Sequence, residues 1–198
     1  MTLTRLLLLL LCATVALPAA ADSWMAPQPA TVTSQDAAYR LTVFPPPRGP
    51  VADGETPPGC IATLEQLEGN AYVERWRKPL PNPIAPASVL VDGQGRFVTF
   101  DDWGRVGFGD NVVAIYAADG TLVKKYGLEQ LLSPAQLAAV PNSVSSRWWG
   151  RQHRIDHDGA LVLVLAEGRD AEGNEISPER ELRLDMATGE RLPDATDG

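Results

Sequence analysis

Apolar and polar positions alternate along most of this chain in short runs, each closed by a turn residue. The clearest stretch runs from Ser88 to Tyr126. Ser88-Val89-Leu90-Val91-Asp92 turns at Gly93-Gln94-Gly95 into Arg96-Phe97-Val98-Thr99-Phe100. After a polar, glycine-bearing connection, Val112–Tyr116 turns at Asp119-Gly120 into Thr121–Tyr126. Asp-Gly between β-rich runs signals a hairpin, because a type I′ turn needs positive φ at both central residues. The stretch therefore predicts four antiparallel strands in succession.

The same pattern continues on both sides. Tyr39–Phe44 alternates like a strand, and Cys60–Leu67 and Ala71–Arg77 form a hairpin about Glu68-Gly69-Asn70. Between the first two runs, Pro45 to Gly59 holds six prolines and three glycines. Proline lacks the N–H that a ladder needs, so this is an extended spacer. One helix is well signalled: Ser133 is its N-cap, Pro134 its first residue and Gln136 closes a capping box, with Leu132 and Leu137 as a staple and Pro141 as the stop. Leu128, Leu131 and Leu132 suggest another short turn before it. Ile155-Asp156-His157 then turns at Asp158-Gly159 into Ala160–Leu165, and a polar loop, Glu167–Pro178, leads to the alternating run Glu181–Met186. The expected fold is mainly β: antiparallel meander sheets, as propeller-like blades or a β-sandwich, with a short helical cap. Its domain occupies residues 39–192, after a flexible arm at 22–38 and before a tail at 193–198.

The first 21 residues predict an address for export. Arg5 precedes an apolar run, Leu6–Leu17, that Pro18 ends, and Ala19 and Ala21 are small residues at −3 and −1 of a cleavage site. The run is too short to span a membrane, which takes about 20 residues. Cleavage after Ala21 predicts a periplasmic or secreted chain with no transmembrane segment; lipidation at Cys12 is the alternative, although Leu11 stands where a small residue is wanted. With Cys12 removed, Cys60 has no partner for a disulfide and is expected as a small buried hydrophobe. The formal net charge of −8 disfavours nucleic acid and anionic membranes as partners, because both repel an acidic protein at long range.

Pro86–Tyr126 resembles one blade of NHL-type or lactonase-like β-propellers. The resemblance rests on Val-Asp-Gly-x-Gly at Val91–Gly95, on the strand running into Asp101 and on Val-x-Ile-Tyr-x-x-Asp-Gly at Val113–Gly120. Leu184–Glu190 is similar to the strand-and-turn ending of such repeats. At about forty to fifty residues per blade, the chain holds two or three blades, whereas closed propellers need four or more. An open stack of sheets or a sandwich is therefore expected. Lactonase-like propellers hold a catalytic divalent cation with Asp, Glu and Asn from several blades; this chain offers no set that maps onto theirs.

Three groups of residues carry possible chemistry. Asp101, Asp102, Asp110 and Asn111 crowd one connection, where their oxygens suit Ca²⁺, although the spacing is not that of an EF-hand. Trp103 and Phe108 in the same loop are expected to plug the sheet edge. Arg147, Trp148, Trp149 and Arg151 combine indole faces with guanidinium donors, as glycan or peptide recognition requires, or else place one tryptophan in the core. His153 and His157 would lie about 13 Å apart on one face of a hairpin, too far to share a zinc ion, and are expected at exposed strand positions. No serine lies in a Gly-x-Ser-x-Gly elbow. The expectation is an exported bacterial envelope protein that binds or scaffolds a protein or glycan partner through a sheet surface, without catalysis and without a cofactor unless Ca²⁺ binds. The alternative is a small metal-dependent hydrolase, lactonase-like, built on the Asp101–Asn111 loop.

Overall fold

The computed structural model describes residues 25–47, 58–166 and 181–193. It contains three antiparallel sheets. The first holds β1 (Ala30–Thr33), β2 (Tyr39–Phe44), β3 (Ile61–Glu68) and β4 (Ala71–Pro79), paired in chain order. The second is the meander β5 (Pro86–Val91), β6 (Phe97–Asp102), β7 (Val113–Tyr116) and β8 (Leu122–Tyr126). The third pairs β9 (Arg154–Ile155), β10 (Ala160–Val164) and β11 (Glu181–Asp185), with β10 in the centre. Between the last two sheets lie α1 (Leu128–Leu131) and α2 (Pro134–Ala139). The mainly-β expectation, the turn positions and the Ser133 capping box hold. The Asp-Gly turns are not type I′, however. Only Gly120 and Gly159 have positive φ, while Asp119 and Asp158 do not. The Gly120 and Gly159 amides each bond back three residues, to Ala117 and Asp156. The proline spacer at 48–57, the polar loop at 167–180, the export segment and the residues from 194 onward lie outside the described residues.

Another expectation needs correction. The segment from 22 to 38, read as a flexible arm, supplies β1. Its Ala30–Thr33 run pairs with Val43–Arg40 of β2, and Thr31 and Thr42 hydroxyls meet at 3.0 Å. Proline and polar residues around it hide a four-residue strand whose only partly buried side chain is Val32, too short for periodicity to betray.

The second sheet is the middle layer of the core. On one face, Val91, Phe97, Ala114 and Tyr116 pack against Leu41, Val43, Ala62 and Leu64 of the first sheet. Phe97 and Tyr116 stack with centroids 4.4 Å apart, and Trp76 of β4 tilts onto Phe97 at 5.7 Å. On the other face, Val98, Phe100, Val113 and Ile115 meet Leu161, Leu163, Leu182 and Leu184 of the third sheet, with Leu128, Leu131 and Leu132 closing one side. Burial on both faces explains why β7 reads Val-Ala-Ile-Tyr with no polar alternation. Such burial contributes about 1.5–3 kcal/mol for each large apolar side chain.

The outer faces of the stack are polar. On the first sheet, Arg40 holds Glu65 through two bonds of 2.6 and 2.8 Å, and Arg77 lies over the Phe44 ring. On the third, Val162 is flanked in register by Arg154 and Arg183. Arg154 clasps Glu181 at 2.7 and 3.0 Å, while Arg183 pairs with Asp158. The arginine stems cover apolar surface and their heads stay wet. The first strands of the three sheets, β1, β5 and β9, lie side by side along one edge of the stack.

Candidate functional site

The Asp101–Asn111 loop is divided among separate tasks. Asp101 adopts φ of 55°, a left-handed conformation that aspartate tolerates better than most residues. This turns its carboxylate inward, where it is buried. Oδ1 accepts from the Gly107 amide at 2.7 Å, and both oxygens accept from Trp149 Nε1 at 3.2 and 3.3 Å. Burial raises its pKa from 3.8 to about 6, against the lowering effect of those donors and with a smaller push from Asp102. A carboxylate so used closes a loop and anchors an indole; it presents no oxygen to a substrate. Asp110 lies on the surface, where Lys125 pairs with it and lowers its pKa. Asp102 and Asn111 do come together, joined by Asn82 from the loop before β5. Trp103 donates from Nε1 to the Met25 carbonyl at 3.0 Å, pinning the residues before β1.

The tryptophan pair is split in the manner a core role requires. Trp149 is buried at 2 % exposure, while Trp148 is 51 % exposed. Arg147 is engaged by Glu129 and by the ring of Phe108, 4.6 Å away. His153 departs from the expected exposed strand position. It is largely buried between the rings of Phe100 and Trp149, at 4.6 and 4.7 Å, and Nδ1 accepts from the Val164 amide at 3.2 Å. Burial pushes its pKa from 6.5 down to about 4, so the imidazole is neutral at neutral pH. Gly150 makes this possible, since a Cβ there would lie 2.4 Å from the ring. Cys60 is buried as expected, its thiol pushed up to about 12 by burial, which leaves it inert as a nucleophile.

A concave site does exist, in a place the motifs did not mark. The first strands β1, β5 and β9 floor a cleft of about 900 Å³ with Val32, Val89, Val91 and Ile155. Its rim comes from the turns around Gln35-Asp36, Asp92–Gln94 and Asp156–Gly159. The rim acids are already engaged. Asp36 accepts from the Ser34 hydroxyl and the Ala38 amide. Asp92 caps its own turn through the Gln94 and Arg96 amides and pairs with Arg96 Nε at 2.7 Å. Asp158 accepts from the Ala160 amide and Arg183. Among the described residues, no three His, Cys, Asp or Glu side chains converge as a metal would need. The Gln35 and Gln94 amides and the His157 imidazole make no side-chain hydrogen bond to another described residue.

The first strands carry the ordinary alternation of any strand, so nothing in the sequence separates a cleft floor from a core face. The one local signal is the recurrence of Asp-Gly turns after β5 and β9, which bring polar rims to the same end. No protein-family model matches the chain, and no curated protein is similar to it. Among the described residues, no helix is long and apolar enough to cross a membrane.

Proposed function

We propose that this is an exported, non-catalytic binding protein of the bacterial cell envelope that takes an uncharged glycan in the cleft across β1, β5 and β9. One observation carries the reading. The charged groups of the rim are paired with each other or held by their own turns, while among the described residues the Gln35 and Gln94 side-chain amides and the His157 imidazole make no side-chain hydrogen bond above an apolar floor. A pairing of this kind repels no neutral ligand, and sugars present hydroxyls for the amides and C–H faces for the valines. The side-by-side first strands also support the likeness to propeller blades, whose inner strands commonly border a ligand cavity. Export rests on the first 21 residues, with cleavage after Ala21.

The test is an NMR titration of the mature chain with soluble oligosaccharides from envelope polymers. Shifts should concentrate on Gln35, Gln94 and His157, and Gln94→Ala with His157→Ala should weaken binding about tenfold or more without moving the melting point. Shifts confined to Trp148–Arg151, or turnover of an ester or lactone substrate, would overturn the reading.

A further inference from the structure

We infer that the cleft selects glycans carrying an acetamido group, with His153 Nε2–H as the donor to the acetamido carbonyl oxygen. This rests on the glycan reading above and names the class of sugar that fits the same cleft.

His153 stands directly before β9 and lines the cleft. Its ring is clamped between Phe100 and Trp149, at 4.6 and 4.7 Å, so its orientation is set before any ligand arrives. Nδ1 accepts from the Val164 amide at 3.2 Å. A backbone N–H can only donate, which leaves Nδ1 bare and, in the neutral ring, puts the proton on Nε2. That second N–H has no hydrogen-bond partner among the described residues. It is not sealed in the core either, because Nε2 is not one of the fully buried polar atoms without a partner. The Cε1–Nε2 edge lies against Gly150, where a Cβ would stand 2.4 Å from Cε1 and 2.6 Å from Nε2. Any other residue at that position would push the ring aside or cover its donor edge.

A ring N–H held in this way donates and cannot accept. It suits a ligand group that only accepts, and among neutral sugar substituents the acetamido carbonyl is such a group. Burial keeps the imidazole uncharged at neutral pH, so the donor gives no advantage to a carboxylate or a phosphate. The rest of the acetamido group also finds matching surface. Leu90 of β5 and Ile155 of β9 line the cleft on two strands that lie together. Both pack on the apolar core and offer the methyl group a place out of water. β5 and β9 are edge strands of their sheets, so outward backbone carbonyls are available to the acetamido N–H. One neutral hydrogen bond and one buried methyl together give about tenfold or more in affinity.

The experiment compares two neutral probes on the mature chain: the β-1,4-linked trimer of N-acetylglucosamine and the β-1,4-linked trimer of glucose. They differ in carrying acetamido or hydroxyl at C2. Affinities are measured by calorimetry, and the imidazole nitrogens are followed by long-range ¹H–¹⁵N NMR. The acetylated trimer should bind about tenfold tighter, and the His153 Nε2–H signal should move with it and not with the glucose trimer. His153→Asn keeps an acceptor for the Val164 amide and removes the outer donor; it should bring the two sugars to equal affinity. His153→Gln reaches the Nε2 position with an amide N–H and should retain most of the preference. Should His153→Asn fail to fold, the Nε2–H response of the wild type decides alone. Equal binding of the two trimers, with shifts on Gln35, Gln94 and His157, overturns the acetamido inference and leaves the glycan reading standing. A preference for the acetylated trimer with Nε2–H unmoved overturns the role of His153. Binding of neither trimer overturns both readings.

Discussion

His153 shows how one side chain can make stability depend on pH. Wedged between Phe100 and Trp149, it is neutral in the folded chain down to about pH 4, whereas an unfolded histidine takes a proton below 6.5. The unfolded state thus binds more protons between those values. The stabilisation is complete above pH 6.5 and is lost as pH falls towards 4, by about 3 kcal/mol at roughly 1.4 kcal/mol per pKa unit. Asp101, raised to about 6, acts in the opposite sense over much of the same range, so the effect is read against a variant and not from wild type alone. His153→Gln cannot protonate. Its stability deficit at pH 7, measured by urea unfolding, should shrink by about 2–3 kcal/mol at pH 4; a deficit that stays constant would remove histidine protonation as the cause. Neither the burial of His153 nor the partner of Asp101 was legible locally. Both depend on Trp149, 48 residues after Asp101 in the chain.

At the scale of elements, the turns decide more than the strands. Gly95 closes the β5–β6 hairpin at φ of 79°, and a Cβ there would stand 2.9 Å from the Tyr39 ring of the first sheet. Gly109 has a similar φ, 85°, but open space around it. The two therefore separate backbone strain from collision. Gly109→Ala should cost about 1–2 kcal/mol, the left-handed penalty of an L-residue. Gly95→Ala should cost clearly more, because the hairpin must also move off β2. Equal losses in thermal unfolding would mean that Tyr39 yields freely. Of the two helices, α1 buries Leu128 and Leu131 in the core, whereas α2 contributes little. The capping box of α2 is complete, yet none of its six residues is buried, so it covers one side of the core and determines nothing about the sheets.

For the whole molecule, mass spectrometry of periplasmic material should give a chain beginning at Asp22; a lipid-modified Cys12 would contradict the export reading. The polar outer faces, with Arg40–Glu65 on one side and Arg154–Glu181 on the other, end the three-layer stack in the way capping repeats end a solenoid. The hydrophobic pattern by itself determined the strands, their turns, the capped helix and the mainly-β class, because each depends on residues within a few positions of one another. It also placed Asp102 and Asn111 in one loop. Only the tertiary structure decided which faces meet, that the short run Ala30–Thr33 is a strand, and that Trp149 rather than Trp148 enters the core. It alone brought Asn82 to Asp102 and set three first strands side by side to make a cleft. Period-two alternation says that a face is buried but not against what; a site assembled from three sheets is a property of their packing.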